Sequence, residues 1–366
     1  MEGTALTDEK KEFFFLEVLR FIACIGVFGG HFFGIAVKSD YGIQLCDFIR
    51  TTWLNKTILV YFISGDISVL FFFALGGFLL SYNTFRYEKK MTWKKVLNKE
   101  LYLIIPSLSI IIIGAVIYMI KSFVFRSEGF LWIEILNDFR KILIGGLDDD
   151  IYPYYSYQLW YNNNAIWCLL TVSVTLLYVR ENKLLRYILY VLLGFIFWRY
   201  SLRMDIFLMG TVAGEVVAQI VKKENNHILS LSWLFTVLGI LPLVCVPLVY
   251  HEGFQKTVNI WGGGFLFVVS VSFIVLAYEY RGMFKIRGAD KNNTILASVI
   301  RNSYSVYLVH VLVIASSPFV YGEIIKHTKG GIGLVFLLCI LYFIFTIFIA
   351  ELFRRIVLNP IRHIIC

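Results

Sequence analysis

Residues 13–37, FFFLEVLRFIACIGVFGGHFFGIAV, decide the fold. As a helix this run exceeds the roughly 30 Å hydrocarbon thickness of a bilayer. It carries Glu17, Arg20 and His31. Arg20 and His31 are eleven residues apart, and eleven steps of about 100° return to within roughly 20° of the starting direction. Both side chains are therefore expected on one helix face, about 16 Å apart along the axis. A charge inside a membrane segment costs several kcal/mol unless it faces protein or a wet cavity. The segment thus predicts a membrane crossing and marks where chemistry is to be sought.

The rest of the chain repeats the pattern. Its 366 residues are 58% hydrophobic and only 16% charged, against about half and a quarter in a soluble domain. The mean hydropathy is +0.73. Apolar runs of about 20 residues recur, and the alternation of a membrane barrel is absent. An all-α, polytopic membrane protein with about ten crossings follows, at roughly 13–36, 66–85, 101–120, 164–180, 185–199, 204–221, 228–250, 259–280, 302–319 and 331–353. The N-terminus, MEGTALTDEKKEFFF, lacks a signal-peptide core and cleavage site, so the first crossing is expected to stay in the mature protein. Thr7, Asp8 and Glu9 resemble a helix start.

The net charge of +9 reports orientation rather than nucleic-acid binding. With the N-terminus inside, inner loops and tails hold about 20 Lys and Arg and the outer loops about 12. Arg86, Lys89, Lys90, Lys94, Lys95 and Lys99 crowd one short inner loop, and Arg354, Arg355 and Arg362 mark an inner C-terminus. Both termini are therefore expected in the cytoplasm. The six cysteines are scattered, four of them in apolar runs (Cys24, Cys168, Cys245, Cys339). This pattern indicates no zinc site and no disulfide framework, so no metal is expected.

One membrane domain, 1–366, is expected, with its core at about 12–355 and no soluble appendage. The long outer connections are 37–65 and 121–163. The second holds Gly145, Gly146, Asp148 to Asp150 and the run YPYYSYQLWYNNN at 152–164. Its aromatic residues suit an interfacial belt or stacking on a sugar ring. The Asn-x-Thr triplets at Asn55 and Asn292 are expected to be incidental.

Several polar residues interrupt the apolar runs. Glu17 and Arg20 form an i,i+3 pair, which is compatible with a structural ion pair near the inner end. His31 sits among Gly26, Gly29, Gly30 and Gly34, which leave room for a helix or an elongated ligand. An imidazole can take a proton near neutral pH. In the second crossing Gly76 and Gly77 break an aromatic surface, and Ser81 is the first polar group beyond them. In the ninth, Ser303, Tyr307 and His310 fall at i, i+4 and i+7 on one stripe. Helix packing and a cavity lining both fit those three.

Taken in order, these segments resemble acyltransferase family 3, a family of integral membrane acyltransferases. LEVLRFIACIGVFGGH (16–31) is similar to its acidic-x-x-Arg pattern followed, ten residues on, by His. VLFFFALGGFLLS (69–81) resembles its Phe-Phe-x-x-Ser/Gly-Gly-Phe motif. NKELYLIIPS (98–107) resembles its basic approach to the third helix, and AIWCLL (165–170) its Trp-x-Leu segment on Trp167 and Leu169. RMDIFLMG (203–210) is similar to a stretch carried by Arg203, Phe207 and Gly210. SYSVYLVH (303–310) is similar to its Ser-Tyr-x-x-Tyr-Leu-x-His motif. The resemblance runs from about 12 to 355. Leu103 stands where an arginine is common, and Thr171, Val172 and Ser173 where many members have a carboxylate, as in the polysaccharide-type branch.

The resemblance implies an O-acyltransferase that moves an acyl group, usually acetyl from acetyl-CoA, to a hydroxyl of a cell-envelope polysaccharide or glycolipid. No permanent cofactor is implied, and acetyl-CoA would be a co-substrate. A bacterial inner membrane is the implied location. The expected catalytic set is His31, Arg20 and Glu17. Arg20, Arg86 and Lys99 would meet the CoA phosphates, where arginine suits bidentate contact. Ser81, Trp167, Arg203, Ser303, Tyr307 and His310 would line the substrate cavity. His31 could act as general base or as a transient acyl carrier. The rival readings are a glycolipid transporter or flippase without acyl transfer, and a non-catalytic membrane scaffold. The absence of an inverted repeat weakens the transporter. The glycan, the hydroxyl, the acyl length and the oligomeric state stay open at this point.

Overall fold

The computed structural model describes residues 14–36, 66–125, 132–144, 159–222, 299–300, 302–316 and 332–365. Among them every regular element is helical. In chain order these are α1 (Phe14–Ala36), α2 (Asp66–Arg86), α3 (Trp93–Phe125), α4 (Trp132–Ile144), α5 (Trp160–Val179), α6 (Lys183–Tyr200), α7 (Leu202–Lys222), α8 (Ser303–Ser316) and α9 (Ile332–Phe353). A π-helical turn, Arg354–Leu358, then joins α9 to α10 (Asn359–Ile365).

Among the described residues, five stretches are long and apolar enough to cross a membrane: Ser68–Arg86, Trp93–Ile120, Tyr161–Val179, Arg203–Lys222 and Phe336–Ile365. The protein is an all-α integral membrane protein. Its surface agrees with that environment. On α9, Leu337, Ile340, Leu341, Ile344, Phe345 and Phe348 are all exposed, an apolar face suited to lipid and unsuited to water. The expected crossings at 228–250 and 259–280 lie outside the described residues. So do Thr7 to Glu9, Asn55, Asn292, Gly145 to Asp150 and the tyrosine run up to Gln158.

Two expected boundaries change. The third crossing starts at Trp93 rather than 101, because a basic amphipathic turn precedes its apolar part. The ninth, expected at 302–319, is described as α8 up to Ser316, and its expected end lies outside the described residues. The outer connection at 121–163 contains a helix, α4. Glu134 in its first turn and Lys141 in its last complement the helix dipole. Asp138 is fully buried and pairs with Lys141 at 3.6 Å, while Trp132, Ile133 and Leu136 are exposed.

The chain forms two compact units, Met1–Glu88 with Met209–Tyr304, and Lys89–Leu208 with Ser305–Cys366. In the first, α1 packs on α2. The 209–222 part of α7 lies so close to α2 that a Cβ on Gly210 would overlap the Ala74 carbonyl, and one on Gly214 the Phe78 carbonyl. Glycines four apart let two backbones touch in this way. Glu88, at φ 51°, turns the chain after α2, and its carboxylate pairs with Lys222.

In the second unit α3 packs against α4, α5 and α10, and α5 against α4 and α6. Pro106 lies within α3. Ser107 Oγ donates to the Leu103 carbonyl at 2.6 Å and Ser109 Oγ to Ile105 at 3.0 Å, local bonds that hold the helix around the proline. Asn98 Nδ2 donates to the Ile365 carbonyl at 2.6 Å, so the basic C-terminal end is a helix anchored on α3. Glu351 receives Arg354 Nη2 and Arg355 Nε, each at 2.7 Å.

Candidate functional site

The buried face of α1 carries Leu16, Ala23, Cys24, Val27, Phe28 and Phe32, and its exposed face carries Ile22 and Ile25. Arg20, Cys24, Val27 and His31 follow the spacing i, i+4, i+7, i+11, which is one helical stripe. Cys24 and Val27 are each 1% exposed. The two polar residues flanking them therefore lie on the packed side of the helix, half-buried, and Glu17 is half-buried one turn before Arg20. Cys24 Sγ donates to the Ser303 carbonyl at 3.5 Å. That contact brings the start of α8, 279 residues away in sequence, against the middle of the Arg20–His31 stripe. Ser303 is itself buried. Phe28 and Phe32 stack at 6.0 Å beside the stripe, and they stiffen the turn that carries His31.

On α2, Ser81 is fully buried, and its hydroxyl has no hydrogen-bond partner. Arg86 ends α2 half-buried. The first unit therefore contains Glu17, Arg20, His31, Ser81, Arg86 and Ser303.

The remaining candidates belong to the second unit. Tyr307 and His310 are buried on α8, their rings 5.6 Å apart. His310 Nδ1 lies 2.5 Å from the Tyr307 carbonyl oxygen. A carbonyl only accepts, so Nδ1 carries the proton and the neutral ring presents Nε2 as its acceptor. Tyr307 also meets Tyr161 of α5 with ring centroids 4.9 Å apart. Lys99 on α3, Trp167 on α5 and Arg203 on α7 are each half-buried. Lys89, Lys90, Lys94 and Lys95 are exposed.

Sequence reasoning passed over several buried polar groups. Glu215 on α7 is fully buried and accepts from Gln219 Nε2 at 2.9 Å. Glu100 on α3 is buried beside Lys99. Asn162, Asn163 and Asn164 open α5, all buried. Asn162 Nδ2 donates to Ser107 Oγ at 2.7 Å and Asn163 Nδ2 to the Lys141 carbonyl. The signal for Glu215 was present, as a lone carboxylate in an apolar run; Glu100 follows Lys99 in a basic stretch just before the expected crossing. The asparagines were hidden by the tyrosine-rich segment, which reads as a connection. Among the described residues no group of three or more His, Cys, Asp or Glu is placed to hold a metal.

These helices define an integral membrane protein with polar residues on the packed face of α1. A family model described as an acyltransferase domain matches residues 13–355, and the chain belongs to that family, acyltransferase family 3. It is accordingly a membrane acyltransferase, of a kind that transfers an acyl group to a hydroxyl. Neither a curated protein nor a solved structure matches the chain.

Proposed function

We propose that the protein transfers acetyl from acetyl-CoA to a hydroxyl of a cell-envelope polysaccharide or glycolipid, with His31 as general base. The observation that carries this reading is the half-buried Arg20–Cys24–Val27–His31 stripe, packed at Cys24 against the start of α8. A guanidinium and an imidazole about 16 Å apart on one face match a donor with phosphates at one end and a thioester at the other. Arg20, with Arg86 of the same unit, binds CoA phosphates; arginine offers a charged planar fork for such oxygens. Glu17 orients Arg20. The thioester carbon then lies near His31.

In the step itself His31 accepts the proton of the acceptor hydroxyl as its oxygen attacks the thioester carbon. The C–O bond forms, the C–S bond breaks, and the leaving CoA thiolate takes the proton from the imidazolium. A positioned base contributes about 10²- to 10⁴-fold. Ser81 and Ser303 line this part of the path, and Trp167, Arg203, Tyr307 and His310 line the acceptor's. The charge distribution supports termini in the cytoplasm of a bacterial inner membrane, with CoA arriving from the basic loop at 86–99.

The test uses purified full-length protein, labelled acetyl-CoA and an envelope glycan fraction. Label should appear on the glycan, and His31→Ala should reduce its rate at least about 100-fold with an unchanged elution profile and melting transition. Transfer at the wild-type rate by His31→Ala would remove the base assignment. Transbilayer movement of glycolipid without label would favour a transporter.

A further inference from the structure

Four side-chain atoms in the first turns of α5 are buried without a hydrogen-bond partner among the described residues: the Asn162, Asn163 and Asn164 side-chain oxygens and the Trp167 indole nitrogen. The Asn164 oxygen only accepts and the Trp167 nitrogen only donates. They stand three residues apart, so their side chains are neighbours on the helix surface. Tyr161, three residues earlier, continues the same band and leans on Tyr307 of α8 at 4.9 Å with a 59° tilt. Tyr307 is 3% exposed and Tyr161 half-buried, so the pair forms a wedge with one ring beneath and one at its edge.

A helix-packing role explains part of the asparagine run. Asn162 fastens α5 to α3 through Ser107, and Asn163 fastens it to α4 through the Lys141 carbonyl. Asn164 makes no such bond, yet it is 4% exposed. A buried polar atom left unmatched costs about 1–3 kcal/mol. An unmatched acceptor and an unmatched donor side by side can be satisfied together by one group, because a hydroxyl donates to the amide oxygen and accepts from the indole N–H. Bound water can do the same, but it gives no use to the aromatic wedge beside it. A pyranose supplies hydroxyls at its rim and an apolar C–H face for an aromatic ring.

We propose that Tyr161, Asn164 and Trp167, backed by Tyr307, form a binding site for one sugar ring. Asn164 and Trp167 read a ring hydroxyl, and the tyrosines take the apolar face. This assignment deepens the function proposed above and rests on its glycan acceptor.

The experiment is saturation-transfer NMR on the full-length protein in lipid nanodiscs, without acyl-CoA. The probes are methyl β-glucoside, methyl β-galactoside and methyl β-N-acetylglucosaminide. At least one should show saturation of its ring protons. Asn164→Leu, which keeps the volume, and Trp167→Phe, which keeps an aromatic ring, should each weaken binding about 10-fold, the loss expected for one hydrogen bond. Gly333→Ala should bind as the wild type does, because the added methyl meets nothing within 4 Å. The melting transition of each variant reports folding, and Trp167→Phe serves if Asn164→Leu is unstable. No saturation with any probe, or wild-type binding by both α5 variants, overturns the site; the first outcome would mark it as a water site only. Acetylation of an envelope glycan in the same preparation would then show that the transfer reading stands without it. Sugar binding lost in both variants, with no acetyl transfer by the wild type, would leave the site and remove the reaction.

Discussion

Four Gly→Ala substitutions give the sharpest check on the helix arrangement, because the same methyl group meets four different surroundings. At Gly210 and Gly214 a Cβ would fall inside the backbone of α2, at Ala74 and Phe78. Backbone cannot rotate out of the way, so α7 must retreat from α2. Overpacking of this kind costs about 1–3 kcal/mol per site. The two sites are one turn apart, and one displacement relieves both, so the double variant should cost less than the sum of the singles. At Gly194 the nearest atom is Leu208 Cδ2 at 3.7 Å, an ordinary contact, and at Gly333 nothing lies within 4 Å. There the methyl should be neutral or, through helix propensity, stabilising by up to about 1 kcal/mol. Gly214→Ala and Gly333→Ala should therefore differ by about 1–4 kcal/mol, measured by reversible denaturation of the full-length protein in mixed micelles. Because α1 packs on α2, acyl transfer should fall with Gly210→Ala and Gly214→Ala and stay level with the two controls. Equal stability of Gly214→Ala and Gly333→Ala would refute the close approach and the packing built on it.

Arg20→Ala should raise KM for acetyl-CoA about 10-fold or more and leave kcat nearly unchanged, the pattern of lost ground-state binding; Arg20→Lys should fall between, having lost the planar fork. An unchanged KM in steady-state assays with labelled acetyl-CoA would count against phosphate binding there. Ser107→Ala removes the acceptor for Asn162 Nδ2 and should destabilise the second unit by about 1–3 kcal/mol, seen in denaturation. Combining it with Asn162→Leu should recover part of that loss, and strictly additive effects in the cycle would argue against the bond.

Much of the helical layout was legible because hydrocarbon imposes it. An expected 66–85 became 66–86, 185–199 became 183–200 and 204–221 became 202–222. The failures have physical causes. α4 is short and shows its apolar groups on one side only, so a hydropathy window sees an ordinary loop. The first turns of α3 carry Lys94, Lys95 and Lys99, and hydropathy ends where those begin, although the helix does not. The Arg20–His31 relationship was readable because it depends only on helical period. Contacts between distant segments were not readable. Cys24 with Ser303, or Gly210 with Ala74, joins residues whose spacing in one sequence says nothing about their meeting in space. Gly210 and Gly214 stood four apart in plain view, but which helix they admit is a property of the fold.

The buried polar groups divide by how fully the protein itself satisfies them. Arg186 is 2% exposed and closes α5 by donating to the Arg180 and Val179 carbonyls. Asp138 has Lys141, and Glu351 has two arginines. Each is bound to groups on its own or the adjoining helix, and its role ends with architecture. The start of α5 differs: the amide nitrogens of Asn162 and Asn163 hold neighbouring helices, while the three asparagine oxygens and the Trp167 nitrogen have no hydrogen-bond partner among the described residues. Bound water or the hydroxyls of a ligand are the groups that can make up such a deficit in a membrane interior. On α1 the division is one of direction: Arg20 lies on the packed face, while Ile22 and Ile25 are exposed, so the guanidinium is positioned toward the protein interior rather than toward lipid.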